Sequence, residues 1–125
     1  MATRRRRGGD AERLGVAFLE KRGYRVIERN YRGPQGEVDV IAEAEDKTLC
    51  FVEIRSRGPG SAGNWAPAST VRQEKQRRIA RTARDWLVRN KITRRACRFD
   101  VLSVTYEEGE PVFELYQNAF ETGDV

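Results

Sequence analysis

Two stretches decide the fold: GEVDVIAE at residues 36–43 and FVEIRSR at residues 51–57. In the first, Val38, Val40 and Ala42 alternate with Glu37, Asp39 and Ile41, the period-two signature of a β-strand; a second strand of the same kind covers residues 48–55. A short polar turn centred near Asp46 joins them. Antiparallel pairing then places residues whose numbers sum to about 92 opposite one another, so Asp39 faces Glu53 and Glu37 faces Arg55, all on one face by shared parity. Opposed β-carbons lie about 4.5–5.5 Å apart, and like charges there repel. Two readings account for the pair. In one, Asp39 and Glu53 chelate a divalent cation such as Mg²⁺, which takes one or two carboxylates with water and substrate phosphate. In the other, Glu37, Asp39, Glu53, Arg55 and Arg57 form ordinary surface ion pairs worth about 0–1 kcal/mol each.

Outward from this hairpin, Asp10 is placed to cap a first helix running to about Arg22, with Gly23 at its end. Residues 24–29 read as a strand, and Gly33, Pro34 and Gly36 as a turn. Residues 69–90 predict a long helix whose apolar stripe is Ile79, Ala83, Trp86 and Leu87. Arg77, Arg81 and Arg84 fall opposite that stripe, whereas Lys75 lies within about 40° of its centre. Lys75 therefore either reaches a phosphate or carboxylate or snorkels along the helix flank. Glu12 shares the apolar stripe of the first helix and either points to the sheet or is a first-turn acid favoured by the helix dipole. Two further strands, residues 98–106 and 111–116, complete the order helix, three strands, helix, two strands. A mixed α/β sheet flanked by helices is the closure this order predicts.

The chain has 125 residues, enough for one domain with one core. We expect a basic tail over residues 1–8, a domain over 9–121 and a short tail at 122–125. The absence of histidine excludes Ser-His-Asp triads, histidine nucleases and imidazole acid/base chemistry. Cys50 and Cys97 lie apart in apolar surroundings and form no CxxC pattern, so they read as small buried hydrophobes. No apolar run approaches a membrane span, and the basic start, Arg4 to Arg7, is not followed by a signal-peptide segment; the expectation is a cytoplasmic protein with no membrane partner. The net charge of +5 is segregated: +6 over residues 1–35, −5 over 36–54, +11 over 55–98 and −7 over 99–125. That is an acidic cluster framed by basic surface, as an enzyme acting on a polyanion requires, or else a basic helix and an acidic tail on separate outer faces.

The wording of the chain, AERLGVAFLEKRGYRVIERNYRGPQGEVDVIAE, then LCFVEIRSR, the Lys75 helix, RFDV and NAF, resembles the YraN-like family of small bacterial proteins. That family is similar to the Holliday-junction resolvases of the restriction-endonuclease-like PD-(D/E)xK superfamily. The resemblance covers about residues 9–121 and implies a restriction-endonuclease-like fold. It also implies Asp39 and Glu53 as metal ligands, with the Ile54 carbonyl as a third, Mg²⁺ or Mn²⁺ as the ion, and Glu12, Glu37 and Lys75 as additional site residues. The implied reaction is metal-assisted attack of water on a phosphodiester, and the implied assembly is a homodimer. Three positions depart from the pattern: Arg55 stands where the motif has lysine, Ala11 where glycine is usual, and Val38 where proline precedes the aspartate. A guanidinium does not serve as a general base, though it can hold a phosphate in a two-pronged hydrogen bond.

Three functions follow as expectations. The first is a Mg²⁺-dependent endonuclease acting on nucleic acid, DNA foremost, with Arg55 beside the reacting phosphate. Backbone contacts would come from Arg57, Arg72, Lys75, Arg77, Arg78, Arg81 and Arg84. The second is a binding module of nuclease descent that has lost turnover through Arg55. The third is a protein-interaction adaptor that uses Trp65 in the loop at residues 58–67.

Overall fold

The computed structural model of the chain describes residues 3–57 and 72–121. Helix α1 spans Thr3–Lys21, followed by β1 (Arg25–Gly33), β2 (Gly36–Glu43), β3 (Leu49–Arg57), α2 (Gln73–Arg89), β4 (Cys97–Glu107) and β5 (Glu110–Phe120). The element order and the mixed α/β class agree with the sequence reading. The strands form one sheet in the order β1-β2-β3-β4-β5. Neighbours are antiparallel except β3 and β4, which run parallel. A parallel neighbour requires a crossover, and α2 lies within it. Trp65 and its loop, the expected helix start at residues 69–71 and residues 122–125 lie outside the described residues.

Alternation along the central strands divides the core into two layers. Leu49 and Phe51 of β3 pack with Ile41, Ile79, Ala83 and Trp86 under α2, whereas Cys50 and Val52 pack with Val40, Ala42, Ala11 and Leu19 under α1. The sheet is thus apolar on both faces, and each helix covers one. Trp86 meets Phe51 edge-on at 5.9 Å between ring centres and donates its indole N–H to Glu28 Oε1 at 3.0 Å, so the buried ring keeps its polar group satisfied. On the other side, α1 approaches closely at Gly15: a β-carbon there would stand 3.0 Å from Ile54 Cδ1 and 3.1 Å from Leu102 Cδ2.

Helix α1 begins earlier than expected. Asp10 is not its cap but sits within it, bonded one turn on to Arg13 at 3.2 Å, and the helix extends back to Thr3. Its end is as expected. Gly23, at φ +91°, lets the Tyr24 N–H reach Leu19 O at 3.0 Å and its own N–H reach Glu20 O at 3.1 Å. The same closure ends α2 without glycine: Lys91 takes φ +55°, with Ile92 N–H on Leu87 O at 2.9 Å.

Candidate functional site

The β2–β3 register is the one expected from the turn, with Val40 opposite Val52, Ile41 opposite Phe51 and Ala42 opposite Cys50. The ladder, however, stops at Val40 and Val52. Beyond that point β2 continues its pairing with β1, and β3 continues alongside β4 as far as Arg57 opposite Thr105, so the two strands part. Asp39 and Glu53 are therefore not ladder partners, and Glu37 does not face Arg55. Glu37 instead faces Arg32 across the β1–β2 hairpin, with Arg32 Nε 3.5 Å from its Oε2.

This fork creates the site. The backbone N–H of Ile54, which has no β2 carbonyl to bond, donates to Asp39 Oδ2 at 2.8 Å. The Asp39 and Glu53 carboxyls line one cavity and interact electrostatically. Burial, followed by the adjacent Glu53 charge, pushes the Asp39 carboxyl up to about 7; the Ile54 N–H and Lys75 pull the other way. The Glu53 side chain is 7% exposed, and its Oε2 receives Lys75 Nζ at 2.5 Å and stands 3.9 Å from Arg55 Nη1. Lys75 comes from the first turn of α2 and reaches the sheet at Glu53, the first of the two readings open to it. A cavity of about 520 Å³ opens between the fork and α2, and Glu37, Asp39, Glu53, Ile54, Lys75 and Arg78 line it.

Glu12 does face the sheet, but β1 engages it. Asn30 Nδ2 donates to its Oε1 at 2.6 Å, and Arg29 Nη2 lies 3.4 Å away. The cause is Asn30, whose φ of +52° interrupts strand alternation. Arg29 and Asn30 both turn to α1, while Glu28 and Tyr31 turn to α2, where the Tyr31 hydroxyl donates to Asp85. Asn30 is the residue that pattern reasoning missed. An asparagine inside a charged strand, of a type enriched in the left-handed region, is the signal that could have found it.

The candidate phosphate contacts divide by position. Arg78 lines the cavity and pairs with Glu74 at 3.4 Å. Arg72, Arg77, Arg81 and Arg84 are exposed and carry no ion pair among the described residues. Asp100 is buried more completely than either site acid, yet Arg98 at 3.0 Å and the Asn118 N–H at 2.9 Å occupy its oxygens, so it serves the sheet rather than a ligand.

The donor set suits a hard cation of Mg²⁺ type. Two carboxylates converge, and among the described residues no group of three or more His, Cys, Asp or Glu side chains forms a complete cage. Mg²⁺ commonly takes one or two protein carboxylates, with water and substrate phosphate completing its shell. No helix among the described residues is long and apolar enough to cross a membrane.

Comparison with known proteins brings in relatives along nearly the whole chain. The profile of "Uncharacterised protein family UPF0102" matches residues 11–104, a span that includes both strands of the fork and Lys75. A UPF0102 protein of Anaeromyxobacter sp. (strain Fw109-5) is 42% identical over 118 residues, covering 94% of this chain and 86% of its own. Those of Geobacter metallireducens and Moorella thermoacetica are each 39% identical, covering 91% and 94% of this chain and 91% and 98% of their own.

Proposed function

Given that the chain belongs to the uncharacterised protein family UPF0102, we propose its activity from the site: divalent-cation-dependent hydrolysis of phosphodiesters in nucleic acid, DNA foremost. One observation carries this reading. Two carboxylates from different strands, Asp39 and Glu53, meet in an open cavity beside the Lys75 ammonium. Asp39 and Glu53 would hold the ion, with the Ile54 carbonyl as an additional donor. Once bound, the cation would polarise the phosphodiester and acidify the attacking water. Ile54 N–H fixes the orientation of the Asp39 carboxyl at the cavity through its Oδ2. Arg55 and Lys75 are positioned to neutralise phosphate charge, and the exposed arginines of α2 extend the same positive surface away from the cavity.

The direct test is cleavage of branched and single-stranded DNA with Mg²⁺ or Mn²⁺. We expect Asp39→Ala and Glu53→Ala each to abolish it while circular dichroism stays native. Intact cleavage in both variants excludes the assigned site. A second reading, binding without turnover, is favoured by Arg55, which stands 3.9 Å from Glu53 where the motif has lysine. Cleavage that appears only in Arg55→Lys selects it.

A further inference from the structure

We propose that Lys75 is a resident counter-cation of the Asp39–Glu53 pair, which yields its place to the divalent ion and is thereby released toward the substrate phosphate. The proposal rests on the metal reading above and adds to it a competition inside the protein.

The geometry of the ion pair is asymmetric. Glu53 is fixed and nearly buried, with a side chain 7% exposed, whereas the Lys75 side chain is 44% exposed. The lysine can leave by rotating into solvent, where an ammonium is well hydrated; the carboxylate has no such route. Lys75 Nζ contacts Glu53 Oε2 at 2.5 Å, on the edge of the cavity that Asp39 shares. A cation that bridges the two carboxylates needs that edge. Arg55 is a poorer occupant, since its Nη1 stands 3.9 Å from the same oxygen.

The position of Lys75 in α2 points the same way. It is the third residue of the helix, within the first turn, where the helix dipole disfavours positive charge and where Arg72 provides no side-chain cap. Local helix physics therefore gives no reason for a lysine here; the Glu53 carboxylate does. In the metal-free protein the ammonium offsets the repulsion between the two acids. The exchange of one cation for another keeps the charge of the pair compensated at each stage. The displaced ammonium stays tethered to α2 at the mouth of the cavity, next to Arg78.

The test is binding of Mn²⁺ to the full chain, read from the electron paramagnetic resonance signal of the free ion. The set is the wild type, Lys75→Met, Lys75→Gln, Lys75→Arg, Arg78→Met and Asp39→Asn. A half-exposed lysine in contact with a carboxylate is partly screened by solvent, so it competes with an incoming cation only modestly. Lys75→Met and Lys75→Gln are thus expected to bind Mn²⁺ about tenfold more tightly than the wild type. Lys75→Arg and Arg78→Met stay within about twofold, and Asp39→Asn loses the site. Melting provides a second readout. Without metal the two neutral variants melt several degrees below the wild type, and saturating Mg²⁺ closes the gap. Binding sensitive to Asp39→Asn that is equal or weaker in both neutral variants overturns the exchange while leaving the metal site standing. An equal gain in Arg78→Met overturns it also, because the effect is then bulk charge. Absence of Asp39-dependent binding in every protein removes the metal reading and this inference together.

Discussion

Replacing Asp39 with asparagine is expected to stabilise the metal-free protein at alkaline pH. Asparagine keeps an oxygen for the Ile54 N–H and gains an amide that can donate to Glu53, but it carries no charge to bury beside that acid. The Asp39 carboxyl titrates near 7 in the folded chain against 3.8 for the ordinary group, so the folded state binds the proton more tightly than the unfolded one. The sign follows directly. Stability from this proton is complete below the unfolded value and is lost as pH rises through about 7. Between pH 5 and pH 8 the wild type should lose roughly 2–3 kcal/mol through this pair. Asp39→Asn should lose none of it. Urea unfolding of both proteins in chelator at the two pH values reads the Asp39–Glu53 pair, because the titrating groups outside it are common to both. The expected result is a stability advantage of the variant over the wild type that grows by roughly 2–3 kcal/mol between pH 5 and pH 8. A difference between the proteins that does not change with pH refutes the buried, paired state of Asp39. The stabilised variant should also bind no metal, since a site that repels itself when empty is one a cation can fill.

Two further outcomes are accessible. Replacing Arg77, Arg81 and Arg84 together with serine should lower the slope of log affinity for duplex DNA against log salt by about 2–3, since each lost phosphate contact removes about 0.9; an unchanged slope places the nucleic-acid surface elsewhere. Lys91→Gly should raise stability by about 0.5–1 kcal/mol, because glycine adopts the φ of +55° at the end of α2 without a β-carbon penalty. A chemical-denaturation midpoint that falls would indicate that the Lys91 side chain does more than close the helix.

Much of this molecule was legible before its coordinates. Alternation located β2 and β3, the short turn near Asp46 set their register, and the helical stripe put Lys75 near the inward flank of its helix with two readings open, because each of these depends on residues close in the chain. Local patterns could not reveal where the hairpin ladder ends. That depends on β4, which arrives from more than forty residues away to hold β3, and on β1, which holds β2; the competition between neighbours opens the fork and turns the Ile54 N–H onto Asp39. Nor could they reveal that Asn30 reverses the faces of β1 and takes Glu12 for itself. The sequence by itself determined which charged groups exist, their order and the strands that carry them. Only the tertiary structure decided which of those charges share one low-dielectric cavity, because separation and burial, the quantities that set electrostatic energy, are properties of contacts distant in the chain.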